Sequence, residues 1–328
     1  MGFFSEMKSK AAEDPKIIVM PELALDNEGI VNEAIEIVKD EGTAIPIGLT
    51  KELIRDSGLL DEFVEHYTAA TKLPDAAKRV ILKRPVPFAA MMVKRGYAHG
   101  MIAGRFATSA SVMIYVNAII GEEDEKIRSS LFFREPPEGY PVFDLIGIAD
   151  MVANPNPTTE ELYRIIVTSA ETFQDLTGRP PKIAVLSYLT GKPQSVQADF
   201  PEVKTIMGAL KLYEELDHPW IVHQAQADAA LIPEIARKKK APFGDKPADL
   251  FIGTNLHVSN IVYKLLERLI VGGDAMIVTQ GLNFPAMDLS RGDSARSMAN
   301  VMAACTDKAQ IFERKGRYGK IDTRFVGM

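Results

Sequence analysis

Short apolar runs separated by single helix-length amphipathic segments constrain this chain more than any other feature. The run 16–20 (KIIVM) is followed by a helical pattern over 29–39, with Ile30, Ala34, Ile37 and Val38 on one face, and then by a second run at 44–49. That order is a β-α-β unit, which closes only as parallel strands joined by a right-handed crossover. The alternation resumes later. Strands are expected at 142–148, 182–188, 220–226, 249–253 and 275–279, and helices at 158–176, 203–216, 228–239, 259–269 and 294–304. The fold class is therefore α/β, with ligand-binding loops at the carboxyl ends of the strands.

Around this frame the pattern predicts a short helix at 5–12 and two or three helices within 50–83. A helix at 87–96 stops at Gly96, a buried strand follows at 99–104, and residues 105–111 open a helix running to about 120. A charged loop at 122–126 and a strand at 127–133 lead to 134–141 (REPPEGYP), either a hairpin connection or a domain junction. At 328 residues the chain exceeds what one hydrophobic core usually supports, so two domains are expected.

Composition removes several function classes. A formal charge of −6 disfavours broad nucleic-acid binding. One cysteine, Cys305, excludes an intramolecular disulfide and reads as a small buried hydrophobe in the last helix. No apolar run approaches the roughly 18–20 residues that span a bilayer, and the amino terminus lacks a secretory pattern. The expectation is a cytoplasmic protein with no membrane partner. There is no P-loop, no glycine-rich dinucleotide fingerprint and no nucleophile elbow, and the five histidines lack metal-ligand spacing. No metal or cofactor is expected.

Three loops carry chemistry. Residues 280–294 (QGLNFPAMDLSRGDS) lie between the apolar run 275–279 and a helix. Gly292 permits a sharp bend, and Asp293 or Ser294 can cap the helix. Free N–H groups at that helix start, the Ser290 hydroxyl and the Arg291 fork would then converge on a phosphate-like anion. A plainly capped helix with a solvated arginine uses the same residues. Residues 150–159 (DMVANPNPTT) form a proline-stiffened loop, suited to a cleft wall or simply to a turn. Residues 187–193 (SYLTGKP) offer hydroxyls, a glycine and a lysine after a strand.

With these segments in view, the chain resembles the phosphate acetyl/butyryltransferases. The matching stretches are 87–104 (PFAAMMVKRGYAHGMIAG), 149–158 (ADMVANPNPT), 186–188 (LSY), 226–233 (QADAALIP), 240–242 (KAP), 260–264 (NIVYK), and 280–285 with 288–292 (DLSRG). The resemblance implies two α/β domains flanking a cleft, the isocitrate/isopropylmalate dehydrogenase-like superfold. It places 1–135 plus 279–328 in one domain and 136–278 in the other, with a homodimer formed through the latter. It implies an acyltransferase that interconverts acyl-CoA plus phosphate with acyl phosphate plus CoA, and small-molecule substrates only.

By that resemblance Ser290 and Arg291 are catalytic, and Asp293 is the candidate to take a proton. Substrate contacts are expected from Arg105, Thr108, Ser109, Asn154, Tyr188, Thr190, Gln226, Asn255, Asn260 and Gln280. Two family positions have changed. Six residues after Arg291, where the family has a carboxylate, stands Ser297. Where a second arginine is usual stands Ile114. Arg105 is the expected compensating cation, and His99, His223 and His257 are candidate substitute bases. These changes also leave open a non-catalytic acyl-CoA-binding regulator or scaffold. A decarboxylating dehydrogenase of the same superfold lacks recognisable metal-binding aspartates here.

Overall fold

A computed structural model describes residues 2–71 and 85–327. Ten strands, numbered β1 to β10 in chain order, occur among them and form two sheets. The chain divides into two compact units, residues 3–123 with 277–328, and residues 124–276.

The first unit holds a four-stranded sheet in the order β10-β3-β1-β2, with β1 at Ile17–Met20, β2 at Ile45–Gly48, β3 at Gly100–Ala103 and β10 at Ala286–Asp288. Every pairing is parallel. All four residues of β1 are buried, because helices cover both faces of the sheet. One face packs Ile17 and Val19 on Phe88, Met92, Val116 and Phe63. On the other side the final helix, Ala295–Arg314, packs on Phe3–Glu13 and Ile30–Glu41.

A six-stranded sheet, order β7-β6-β8-β5-β4-β9, lies in the second unit up to residue 276, and the end of β9 continues past it. Its strands are β4 (Ser129–Glu135), β5 (Ile146–Ala149), β6 (Lys182–Leu186), β7 (Ile221–Ala225), β8 (Leu250–Ile252) and β9 (Asp274–Gln280). Strands β5 to β8 are parallel, whereas β4 pairs antiparallel with β5. Residues 136–145 thus form a hairpin-type connection between β4 and β5. Buried Arg134 explains the attachment. Its fork donates to the carbonyls of Ile270, Gly272 and Asp274, a charge held by carbonyls of its own unit.

Other departures have local causes. The helix expected at 228–239 is two, Ala227–Leu231 and Pro233–Lys239, because Ile232 precedes a proline and is extended (φ −110°, ψ 110°). The last helix continues ten residues past 304. Two buried polar side chains there are occupied: Lys308 donates to the Thr279 carbonyl, and the Gln310 amide to the carbonyls of Lys10, Ala11 and Asp14 at the end of the first helix. Strand β10 was missed because three residues are too few to display a period. Of the helices expected within 50–83, Lys51–Asp56 and Leu60–Thr71 are described, and the rest of that expectation lies outside the described residues. Cys305 is fully buried, and burial pushes its thiol up to about 12. No helix among the described residues is long and apolar enough to cross a membrane.

Candidate functional site

In the first unit, three adjacent parallel strands deliver three loops at their carboxyl ends. Strand β1 runs into the 3-10 turn Pro21–Leu25, β3 into residues 104–107, and β10 into 289–294. Glu22, only 3% exposed, organises the first two. Its Oε2 accepts from the N–H groups of Gly104 and Arg105, both at 2.8 Å, and its Oε1 from those of Phe106 (3.1 Å) and Ala107 (2.7 Å). Four successive N–H groups thus converge on one carboxylate, an anion nest filled by the protein itself. Thr108 then caps the helix Ser109–Ile119 by accepting from Ser111 N–H at 3.2 Å. Gly104 is required here: its φ is +118°, and a Cβ would lie 2.6 Å from Asp288 Oδ1 and 2.7 Å from the Leu289 carbonyl.

The loop after β10 presents Ser290 and Arg291 to solvent. It is pinned from both sides. Arg105 Nη1 donates to the Arg291 carbonyl at 2.5 Å, and Arg105 Nη2 to Glu28 at 3.1 Å. Asp293 Oδ2 accepts from Ser290 N–H at 2.7 Å, and its Oδ1 from the Ser297 hydroxyl at 3.0 Å. The helix cap is Ser294, which accepts from Ser297 N–H at 3.1 Å, so Asp293 braces the loop and does not cap. Gly292 is not left-handed; the bend is made by these side-chain bonds. The Arg291 guanidinium has no protein partner among the described residues, and the Ser290 hydroxyl accepts only a long contact from Gly292 N–H, 3.4 Å. A loop fixed through its backbone therefore offers one free cation and one free hydroxyl side by side.

Arg105 was expected to send its fork into the anion site. It instead ties Arg291's backbone to Glu28, and its Nε is buried with no partner among the described residues. Beside Thr108 lies a pocket of about 310 Å³ lined by Leu25, Val86, Phe106, Ala107, Ser111 and Tyr115. Ile114 is not part of that lining and is 65% exposed. Gln280, at the end of β9, is fully buried.

Asp288, the first residue of the pentad, is 7% exposed and was not singled out from the sequence. Burial pushes its carboxyl up to about 7; a hydrogen bond from Ser109 opposes the rise, and the negative charges of Glu22 and Asp293 add to it.

In the second unit the expected residues sit beyond the carboxyl ends of β5 to β8, but most are occupied. Asn154 belongs to a loop wound around buried Asp150: its amide donates to Asp150 Oδ2 (2.7 Å) and to the Arg128 carbonyl (3.0 Å). Asn255 caps the helix Leu256–Leu269 by accepting from Val258 N–H, and Asn260 donates to the Met151 carbonyl. Thr190 and Gln226 come together, with Gln226 N–H donating to Thr190 Oγ1 at 3.1 Å and Lys239 donating to Gln226 Oε1 at 2.8 Å. Tyr188 is 55% exposed.

The histidines do not converge. His99 lies at the amino end of β3, opposite the loops just described. Its Nδ1 accepts from Ile17 N–H, and burial holds its pKa low. His223, within β7, packs edge-on to Phe243 and is likewise lowered by burial. His257 is exposed in the first turn of its helix.

The sequence profile of the family described as Phosphate acetyl/butaryl transferase matches residues 3–306. The phosphate acetyltransferase of Acetivibrio thermocellus is 30% identical over 334 residues, covering 94% of this chain and 99% of that protein. A solved phosphotransacetylase from Streptococcus pyogenes superposes with a TM-score of 0.80 at 28% identity, covering 94% and 98% of the two chains. A 4-hydroxythreonine-4-phosphate dehydrogenase from Klebsiella pneumoniae, at 11% identity and a TM-score of 0.52 over 90% and 100%, shares the fold alone, which is isocitrate dehydrogenase-like.

Proposed function

Because this chain belongs to the Phosphate acetyl/butaryl transferase family, we propose that it exchanges a short-chain acyl group between CoA and phosphate. The observation that carries this reading is the free Arg291 guanidinium beside the Ser290 hydroxyl, on a loop held at its backbone by Arg105 and Asp293. In this mechanism Arg291 grips two phosphate oxygens as a fork and aims a third at the thioester carbonyl. The Ser290 hydroxyl donates to the oxyanion that develops as the phosphate oxygen adds. Collapse of the tetrahedral species breaks the C–S bond and releases CoA thiolate. The apolar pocket beside Thr108, with its hydroxyls from Thr108 and Ser111, suits a short acyl chain.

The reading includes a cytoplasmic homodimer formed through the second unit. Ile261, Leu265 and Leu269 recur every fourth residue along one helix and are 58%, 53% and 74% exposed, with Val271 just beyond at 85%. An apolar stripe of that kind is what a second copy would cover.

The second reading, a non-catalytic acyl-CoA binder, is favoured by exposed Ile114 at the family's arginine position and by Arg105 being engaged with Glu28. One assay separates the two. Thiol release from acetyl-, propionyl- and butyryl-CoA is followed with and without phosphate or arsenate. Anion-dependent release supports transfer. Calorimetric CoA binding without release from any of the three supports the binder.

A further inference from the structure

The pocket beside Thr108 is larger than an acetyl group needs, and its walls are fixed. About 310 Å³ of space lies between the 3-10 turn after β1, the start of the helix Val86–Lys94 and the loop after β3. An apolar cavity of roughly 150 Å³ holds a benzene ring, so this one has about twice that room.

The loop cannot contract around a smaller guest. Glu22 Oε1 accepts from the N–H groups of Phe106 and Ala107 at 3.1 and 2.7 Å, which fixes the backbone of that wall. The Arg105 guanidinium lies over the Phe106 ring, 5.3 Å from its centroid, and donates to the Arg291 carbonyl at 2.5 Å. One side chain thus braces both a wall of the pocket and the loop that carries Ser290 and Arg291. Val86 and Tyr115, also in the lining, are buried.

The lining selects the kind of guest. None of the described lining residues carries a charge, so an acyl group bearing a carboxylate or an ammonium would lose its hydration there without a partner. Phe106 and Tyr115 bring two aromatic rings to the lining, and a ring packed on such neighbours gains more than its buried area alone. The Thr108 hydroxyl is spent on the Ser111 N–H, whereas the Ser111 hydroxyl has no hydrogen-bond partner among the described residues. Ala107 and Ser111 are the small side chains of this wall, and leucine at either position would occupy the space.

We propose that the pocket receives a phenyl-bearing acyl group, benzoyl or phenylacetyl, and that Ala107 and Ser111 set this specificity. The proposal rests on the acyl-transfer reading given above and names its substrate class. Acetyl-CoA is the poorer substrate, because its methyl group leaves most of a rigid pocket without contact and forgoes the binding energy that a ring would bring to the transition state.

The test compares kcat/KM for phosphate-dependent cleavage of acetyl-, isovaleryl-, benzoyl- and phenylacetyl-CoA in wild type, Ala107→Leu and Ser111→Leu. One methylene in an apolar pocket changes kcat/KM by about 10–200-fold. The better of the two phenyl substrates should therefore exceed acetyl-CoA in wild type by on the order of 10²-fold or more. Each leucine variant should cut that ratio by about tenfold or more, and the second serves if the first does not fold. A wild type that prefers acetyl- or isovaleryl-CoA overturns the proposal, and so does a ratio unchanged in both variants. If no CoA ester is cleaved, the acyl-transfer reading fails and calorimetry decides on the pocket. Benzoyl- or phenylacetyl-CoA should then bind wild type about tenfold or more tighter than acetyl-CoA and lose that advantage in Ala107→Leu, and equal affinities in wild type overturn the proposal.

Discussion

Replacing Asp288 by asparagine should stabilise the protein at alkaline pH and not at acid pH. The carboxyl titrates at 3.8 in the open chain and at about 7 in the fold, so the native state binds the extra proton between those values. Stability contributed by that proton is fully present below 3.8 and lost as pH rises through 7. The whole interval is worth about 4 kcal/mol at 1.36 kcal/mol per tenfold, and about 2.5 kcal/mol of it falls between pH 5 and pH 8. Against a total of roughly 5–15 kcal/mol for an ordinary domain, that is a measurable share. Urea unfolding of wild type and Asp288→Asn at both pH values isolates the term, because every other titrating group is common to the two proteins. The account expects the variant to gain on wild type by about 2.5 kcal/mol on going from pH 5 to pH 8. A gap between the two proteins that does not change with pH would mean that Asp288 is ionised throughout and stores no proton.

Three further outcomes are expected. Glu22→Gln exchanges one accepting oxygen for a donor and strands about two of four backbone N–H groups, at about 1–3 kcal/mol each; chemical denaturation should register that loss, and activity should fall because the turn after β3 loosens. Leu265→Glu together with Leu269→Glu should convert a dimer to a monomer in light scattering coupled to size exclusion, and a wild type that is already monomeric contradicts the proposed interface. Native Cys305 should resist iodoacetamide at pH 8 and react once denatured, since burial holds its thiol at about 12; rapid alkylation of the folded protein would be the contrary result.

What the sequence revealed follows from which signals are local. Strands such as β1 and β6 are continuous apolar runs between helix-period segments, and they were placed within a residue or two because burial on both faces leaves no alternative pattern. The loop that carries Ser290 and Arg291 is legible because a strand, a glycine-containing loop and a capped helix follow one another in the chain. The roles of Glu22 and Asp288 were hidden because they depend on neighbours: Glu22 meets N–H groups more than eighty residues away, and Asp288 is buried against the turn at Gly104, distant in the chain. The same limit explains Arg105, whose charge was visible but whose engagement by Glu28 and the Arg291 carbonyl was not. The turn and cap bonds of Asn154, Asn255 and Asn260 are not legible in the sequence, because polar side chains after strands serve turns and caps as readily as substrates.

The central claim, that phosphate is held by Arg291, is tested most directly by the KM for phosphate at saturating acetyl-CoA in wild type and Arg291→Gln. Loss of a fork making two charge-assisted hydrogen bonds, each roughly 1.5–3 kcal/mol, predicts an increase in KM or a loss of kcat/KM for phosphate on the order of 10²- to 10⁴-fold. Unchanged phosphate kinetics in Arg291→Gln would contradict it.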